Sequence, residues 1–291
     1  MKTVKKIFVL FLIFLISSDI LNAKDPIKVL VLTGQNNHNW QASSVILQKY
    51  LNESGIFAAD LAVSPKTGED MSSFCPDFSA YKAVVLDYTG DSWSEKTNKA
   101  FLEYVNGGGG VVVYHAANNA FRNWKEYNEI TGLGGWDNRN ETDGPYVYFR
   151  DGNEVRDTTP GPGGSHGKKH EYKIALRIKD HPITKGLPEI WTHSKDELYD
   201  RLRGPAKNLT VLATAWSDKE TGGTGRDEPV LMVIKWGKGR VFHTILGHVG
   251  AGDGPYPAVE GASFIVTFLR GTEWAATGKV SQGVPDDFPC K

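Results

Sequence analysis

The chain has 291 residues, of which 40% are hydrophobic and 23% charged, a globular composition with room for one large domain carrying insertions. Lys and Arg number 33 against 34 Asp and Glu, a formal net charge of -1. That balance lacks the basic surplus which a nucleic-acid or acidic-membrane partner calls for.

The first 23 residues read as a targeting segment, with a basic start at Lys2, Lys5 and Lys6 followed by the apolar run Ile7 to Ile16. The run has the length of a signal-peptide core and is short for a spanning helix, although an uncleaved membrane anchor is the alternative. Ala23 in Leu21-Asn22-Ala23 offers a cleavage point before Lys24, and no cysteine follows for a lipid anchor. The expected organisation is a signal peptide over 1–23, one domain over 24–280 and a tail over 281–291, with the mature protein periplasmic or secreted and free of a membrane span. Cys75 and Cys290 are the two cysteines, open to either a disulfide or two free thiols.

Ile27 to Thr33 (IKVLVLT) reads as a strand buried on both faces. A polar loop carrying His38 follows, then a helical pattern at Val45, Ile46, Tyr50 and Leu51 that stops near Gly55. Phe57 to Val63 and Lys82 to Asp87 are further strands. Ser94 with Thr97 opens a helix through Phe101, Leu102 and Val105, closing on the glycine run before Val111 to Val113. This alternation predicts a parallel sheet with right-handed crossovers. Ligands of such sheets sit outside the carboxyl ends of the strands, so His115 is aimed at a cleft and His38 lies on the same edge.

Residues 118–170 keep no period and mix Phe121, Trp124, Tyr127, Trp136, Tyr146, Tyr148 and Phe149 with charges and glycines. Ordered loops over a sugar site fit that composition, and so does an aromatic packing insertion. His166 and His170 lie four apart in a glycine-rich loop, a weak metal pair without a helix to align them. Trp191 to Tyr199 concentrates His193, Asp196 and Glu197 where no regular apolar spacing runs, a set suited to acid–base work, metal ligation or capping.

Strands resume at Leu209 to Ala213, Val230 to Trp236 and Arg240 to Leu246, with Gly237-Lys238-Gly239 as a hairpin turn. His243 and His248 differ by five positions and cannot share a strand face; His248 stands at the strand end among glycines. Ala258 to Leu269 reads as a closing helix.

The segments VVVYHAA, DHPITKGLP, DELYDRLRGP, GKGRVFHTILGH and RGTEWAATG, spread from Lys28 to Val280, together resemble the ThuA-like (trehalose-utilisation) family. The resemblance implies an α/β, flavodoxin-like three-layer sandwich of the class I glutamine amidotransferase type, with a mainly parallel central sheet and aromatic-rich loop insertions. It also implies a role in carbohydrate metabolism. The elbow that carries a cysteine in those amidotransferases is Tyr114-His115-Ala116 here, so thioester chemistry has no nucleophile. The expectation is a hydrolase, lyase or isomerase acting on a glycoside or its 3-keto derivative. Its catalytic set is His115, Glu197, His248 and Asp196, with His38, Trp124, Trp136, Tyr114 and Asn118 on the substrate. His38, His115 and His248 are candidate ligands of a divalent metal such as zinc. The alternative is a non-catalytic sugar-binding or accessory protein.

Overall fold

The structure, a computed structural model, describes residues 25–252 and 254–289. The expected signal peptide and Cys290, with the disulfide considered for it, lie outside the described residues.

The chain enters as β1 (Ile27–Thr33), α1 (Trp40–Glu53), β2 (Phe57–Val63), β3 (Ala83–Leu86), α2 (Glu95–Gly107) and β4 (Gly110–Tyr114). The four strands pair in parallel in the order β2-β1-β3-β4. Val29 to Leu32 and Val111 to Val113 are buried, each such side chain contributing about 1.5–3 kcal/mol. Ser94 Oγ accepts the Thr97 amide at 3.2 Å, and α2 ends on Gly108 at φ +115°, as the sequence predicts. In α1 the expected face is rotated. Ser43, Ser44, Leu47 and Leu51 point inward, while Val45 is 57% exposed. Polar serines are tolerated inside because Ser43 Oγ donates to the buried Asp87 carboxylate at 2.7 Å.

The chain steps from β1 to β2 on one side and from β3 to β4 on the other. Right-handed crossovers therefore put α1 and α2 on opposite faces.

The second half contains α3 (Lys125–Thr131), β5 (Tyr146–Arg150), β6 (Asn153–Asp157), β7 (Ser165–His166), β8 (His170–Leu176) and β9 (Ile190–Asp196). It continues with β10 (Tyr199–Asp200), β11 (Leu209–Ser217), β12 (Arg226–Trp236) and β13 (Gly239–Thr244). Residues 118–170, read as loops, thus hold a helix and a β5–β6 hairpin that joins β12. Residues 191–199, read as irregular, contain β9. Its alternation was hidden because the inward positions are Trp191, His193 and Asp196, polar groups paired with each other or their neighbours. Among the described residues eleven of these strands form one sheet, β2-β1-β3-β4-β13-β12-β11-β8-β9 with β5 and β6 attached, while β7 and β10 pair in a separate two-stranded sheet.

β13 runs parallel to β4, and every pair beyond it is antiparallel. Direction alternates outward from β13, so β9 points the same way as β4. Its carboxyl end and the amino end of β8 share the edge where the parallel strands terminate. That single fact assembles the site.

The chain closes with α4 (Pro257–Glu260) and α5 (Ala262–Thr277), the latter packed on β4 and β13 beside α1. Gly110 is required there, because any side chain would collide with the Ala275 carbonyl of α5. The segment expected as a tail folds back: the Glu273 carboxylate receives the Ser281 amide at 2.8 Å, and Phe288 packs on Trp191. The result is the flavodoxin-like three-layer sandwich. No helix among the described residues is long and apolar enough to cross a membrane.

Candidate active site

His115 follows β4 on a sharp elbow and holds φ at +44°, a left-handed conformation that costs a non-glycine residue on the order of 1–3 kcal/mol. Its Nδ1 lies 2.6 Å from the Ile245 carbonyl, which can only accept, so Nδ1 carries the proton. Nε2 is then a bare lone pair, buried and without a hydrogen-bond partner. Burial, then the neighbouring His38, lowers its pKa to about 3, which keeps the ring neutral. Tyr199 stacks on it at 4.3 Å between ring centres.

His38 stands on the β1–α1 loop, its ring 4.9 Å from His115 and 4.8 Å from His248. Its Nδ1 meets the side-chain oxygens of Asn36 at 3.2 Å and Asn37 at 3.0 Å, which again fixes the proton on Nδ1. Asn36 is itself oriented by donating to Asp87 at 3.1 Å. Asp87 also receives Thr33 and Ser43 hydroxyls, yet burial raises its pKa to about 7. Nothing in the sequence pattern marked Asp87, which reads there as an ordinary strand end.

Glu197 sits one residue past β9 and gathers the rest. Its carboxylate lies 3.2 Å from His248 Nε2, 3.5 Å from Lys169 Nζ, and 3.9 Å from both His38 Nε2 and His166 Nε2. Burial opposes its charge, but the bond from His38 and the surrounding imidazoles outweigh that and hold its pKa down to about 2. His248 is lowered to about 4, by burial and then by the Lys169 and His38 charges acting against Glu197. Lys169 Nζ also lies 3.1 Å from His248 Nδ1.

Three expectations change. Asp196, expected to be catalytic, is fully buried behind the cleft. Its oxygens accept from His193 Nε2 at 2.9 Å and from the amides of Gly247, Glu197 and His248 at 2.7, 2.7 and 3.1 Å. It clamps the end of β9 to the loop after β13. Tyr114, assigned to substrate, is buried and donates to the Gly247 carbonyl, and Asn118 is buried against His243 at 3.1 Å. Both support the floor from behind. His170 turns away onto Tyr172 and the Lys168 carbonyl, so it forms no pair with His166.

Of the two tryptophans, Trp136 reaches the cluster, packing edge-on to Tyr199 at 4.6 Å and lying 6.1 Å from His166. Trp124 lies among Trp93, Phe121 and Tyr127, away from the histidines. Lys169 and His166 were missed as site members. Their one signal was a basic, imidazole-bearing loop directly before a strand.

Donor atoms of His38, His115 and Glu197 all lie within 4.8 Å of one another, the one such grouping of three or more metal-binding side chains among the described residues. Two imidazole nitrogens and a carboxylate suit a borderline divalent ion such as zinc, and the orphaned Nε2 of His115 is the atom such an ion would satisfy. The expected third ligand, His248, is replaced in this set by Glu197, to which it is bonded.

The chain matches the ThuA family model, described as trehalose utilisation, over residues 28–275. It is similar to a solved ThuA-like protein from Parabacteroides merdae, with 58% identity and a TM-score of 0.89, covering 91% of this chain and 95% of that one. A ThuA-like protein from Bacteroides uniformis, at 17% identity and a TM-score of 0.57 over 90% and 96% of the two chains, shares the fold. No curated protein matches the chain.

Proposed function

Because the chain belongs to the ThuA trehalose-utilisation family, we propose that it is a carbohydrate-processing enzyme acting outside the cytoplasm on a glycoside or its 3-keto derivative. One observation carries the reading: a single carboxylate, Glu197, meets three imidazoles and an ammonium group in one cleft. Structural ion pairs do not need four partners, and groups perturbed as Glu197 and His248 are gather where proton transfer is performed.

In a 3-keto glycoside the carbonyl acidifies the C2–H bond. The base assigned to that proton is His248, neutral above about pH 4, whose Nε2 faces the Glu197 carboxylate and whose Nδ1, beside Lys169, carries the lone pair. The electron pair then forms the C1–C2 double bond as the C1–O bond breaks, and the proton on His248 passes to the departing oxygen. Lys169 offsets the negative charge that gathers on the carbonyl oxygen. A divalent ion held by His38, His115 and Glu197 would add Lewis-acid polarisation of that carbonyl. Glutamine hydrolysis has no place here, since the elbow presents an imidazole where a thiolate is needed.

The test is turnover of a 3-keto glucoside by purified protein, before and after chelation, together with its metal content. Turnover that is lost in His115→Ala and reduced by chelation supports the reading. A protein that binds the sugar and converts none is a binding or accessory protein. The location follows from the N-terminal segment and is checked by fractionating the native host for this chain.

A further inference from the structure

A cavity of about 350 Å³ adjoins the histidine cluster through His248, which lines it. Two lysines reach it, Lys169 from the loop before β8 and Lys195 from β9. Side chains alternate along β9, so Lys195 stands exposed while its neighbour Asp196 is buried. Small and apolar residues, among them Gly250, Ala251, Pro255 and Pro257, supply much of the remaining wall.

What the lining offers selects the ligand. A neutral sugar hydroxyl brings a donor that needs an acceptor as well as lone pairs that need donors. No Asp, Glu, Asn or Gln is among the described residues that line the cavity, and its one hydroxyl, on Tyr256, is held by the Gly252 carbonyl and by Asn39. The strong side-chain donors are the two ammonium groups. Glu197 lies 3.5 Å from Lys169 Nζ and offsets one of them, but Lys195 makes no ion pair among the described residues. Two like charges on one cavity repel, and an anion placed between them turns that repulsion into attraction. The cavity therefore suits a group that only accepts hydrogen bonds and carries negative charge.

Resting on the carbohydrate reading above, we propose that this cavity takes an acid group of the substrate, a carboxylate or a phosphate ester, so that the glycosides converted here are acidic ones. His248 belongs to both sites, facing Glu197 through Nε2 and Lys169 through Nδ1, which puts the acid group on the reacting ring itself. Lys195 is then a specificity residue: it meets no reacting atom, and its charge selects the substrate.

Calorimetric titration with methyl D-glucoside, the matching D-glucuronide, the matching 6-phosphate and inorganic phosphate tests this. One of the two acidic glycosides should bind about tenfold or more tightly than the neutral one, a gain of about 1.4 kcal/mol, and whichever does identifies the acid group. Raising the salt from about 50 to about 500 mM should shrink that gain. Lys195→Gln should abolish it, leave the affinity for the neutral glycoside unchanged and melt like the parent protein. If neither acidic glycoside gains over the neutral one, or the gain survives Lys195→Gln, no acid group binds here, while binding of the neutral glycoside leaves the carbohydrate reading standing. Inorganic phosphate that binds alone and is lost in Lys195→Gln, with no glycoside bound, would overturn the carbohydrate reading and leave the anion site. Absence of binding by every probe would overturn both.

Discussion

The two halves of the sheet furnish the cleft differently. The parallel half supplies His38, His115 and His248, each within five residues of the end of β1, β4 or β13. The antiparallel half supplies the charges, Glu197 after β9 and Lys169 before β8, with His166 beside them. Parallel strands share one carboxyl edge, so any loop that leaves them faces the ligand. Antiparallel strands reach that edge with alternate ends, and only some of their loops contribute. The strand-end imidazoles therefore come from one half and the carboxylate and ammonium from the other, meeting at Glu197.

Cutting the tie between the halves should give the largest effect. Asp196→Ala leaves His193 and three amides without their buried acceptor, and a loss of about 3–5 kcal/mol in urea unfolding is expected. Glu197→Gln separates the halves chemically while leaving the fold: kcat/KM should fall about 100- to 1,000-fold with a near-native melting temperature. If turnover stays within a few-fold of the parent, Glu197 is a bystander and the charge has no partner role.

How legible this was in the sequence follows the same division. His38, His115 and His248 could be found because a buried apolar run ending in an imidazole is a local pattern. Glu197 was visible only as one of two adjacent carboxylates, and the choice between them needed β9, whose inward His193 and Asp196 disguise a strand as a polar loop. Asp196 turned inward and Glu197 outward because successive side chains of an extended chain alternate. Lys169 and His166 show locally as a basic loop before a strand, but their place at the site depends on the direction of β8, which is set by strand order far along the chain. The rotated face of α1 has a related cause: Ser43 pairs with Asp87 of another strand, and such a pair outweighs the burial of Val45.

Smaller effects sharpen the comparison. Lys169→Met should lower kcat about tenfold, about 1.4 kcal/mol. The ammonium group depresses the His248 pKa, so its removal should also move the acid limb of the pH profile upward. A uniform loss with an unmoved limb would assign Lys169 to substrate contact alone.

A separate effect, on stability alone and confined to a pH window, is expected at Asp87, whose pKa rises from 3.8 unfolded to about 7 folded. Between those values the native state holds the extra proton, so its contribution to stability is full below about pH 4 and is lost as pH rises to about 7. Asp87→Asn removes that slope. Its stability relative to the parent should therefore climb from pH 4 to 7, and a flat difference would show the carboxyl to be ionised throughout.

The position of β13 bears on how the protein comes into being. It is the seam strand between β4 and β12, yet it lies near the end of the chain. Its hairpin with β12 is local and cheap to close, whereas its pairing with β4 spans more than a hundred residues and is entropically slow. The same docking brings Ile245 to His115 and Gly247 to Asp196. A nascent chain halted before residue 239 would hold a strained elbow with nothing to fix its ring, and competence arrives in one late step rather than by degrees.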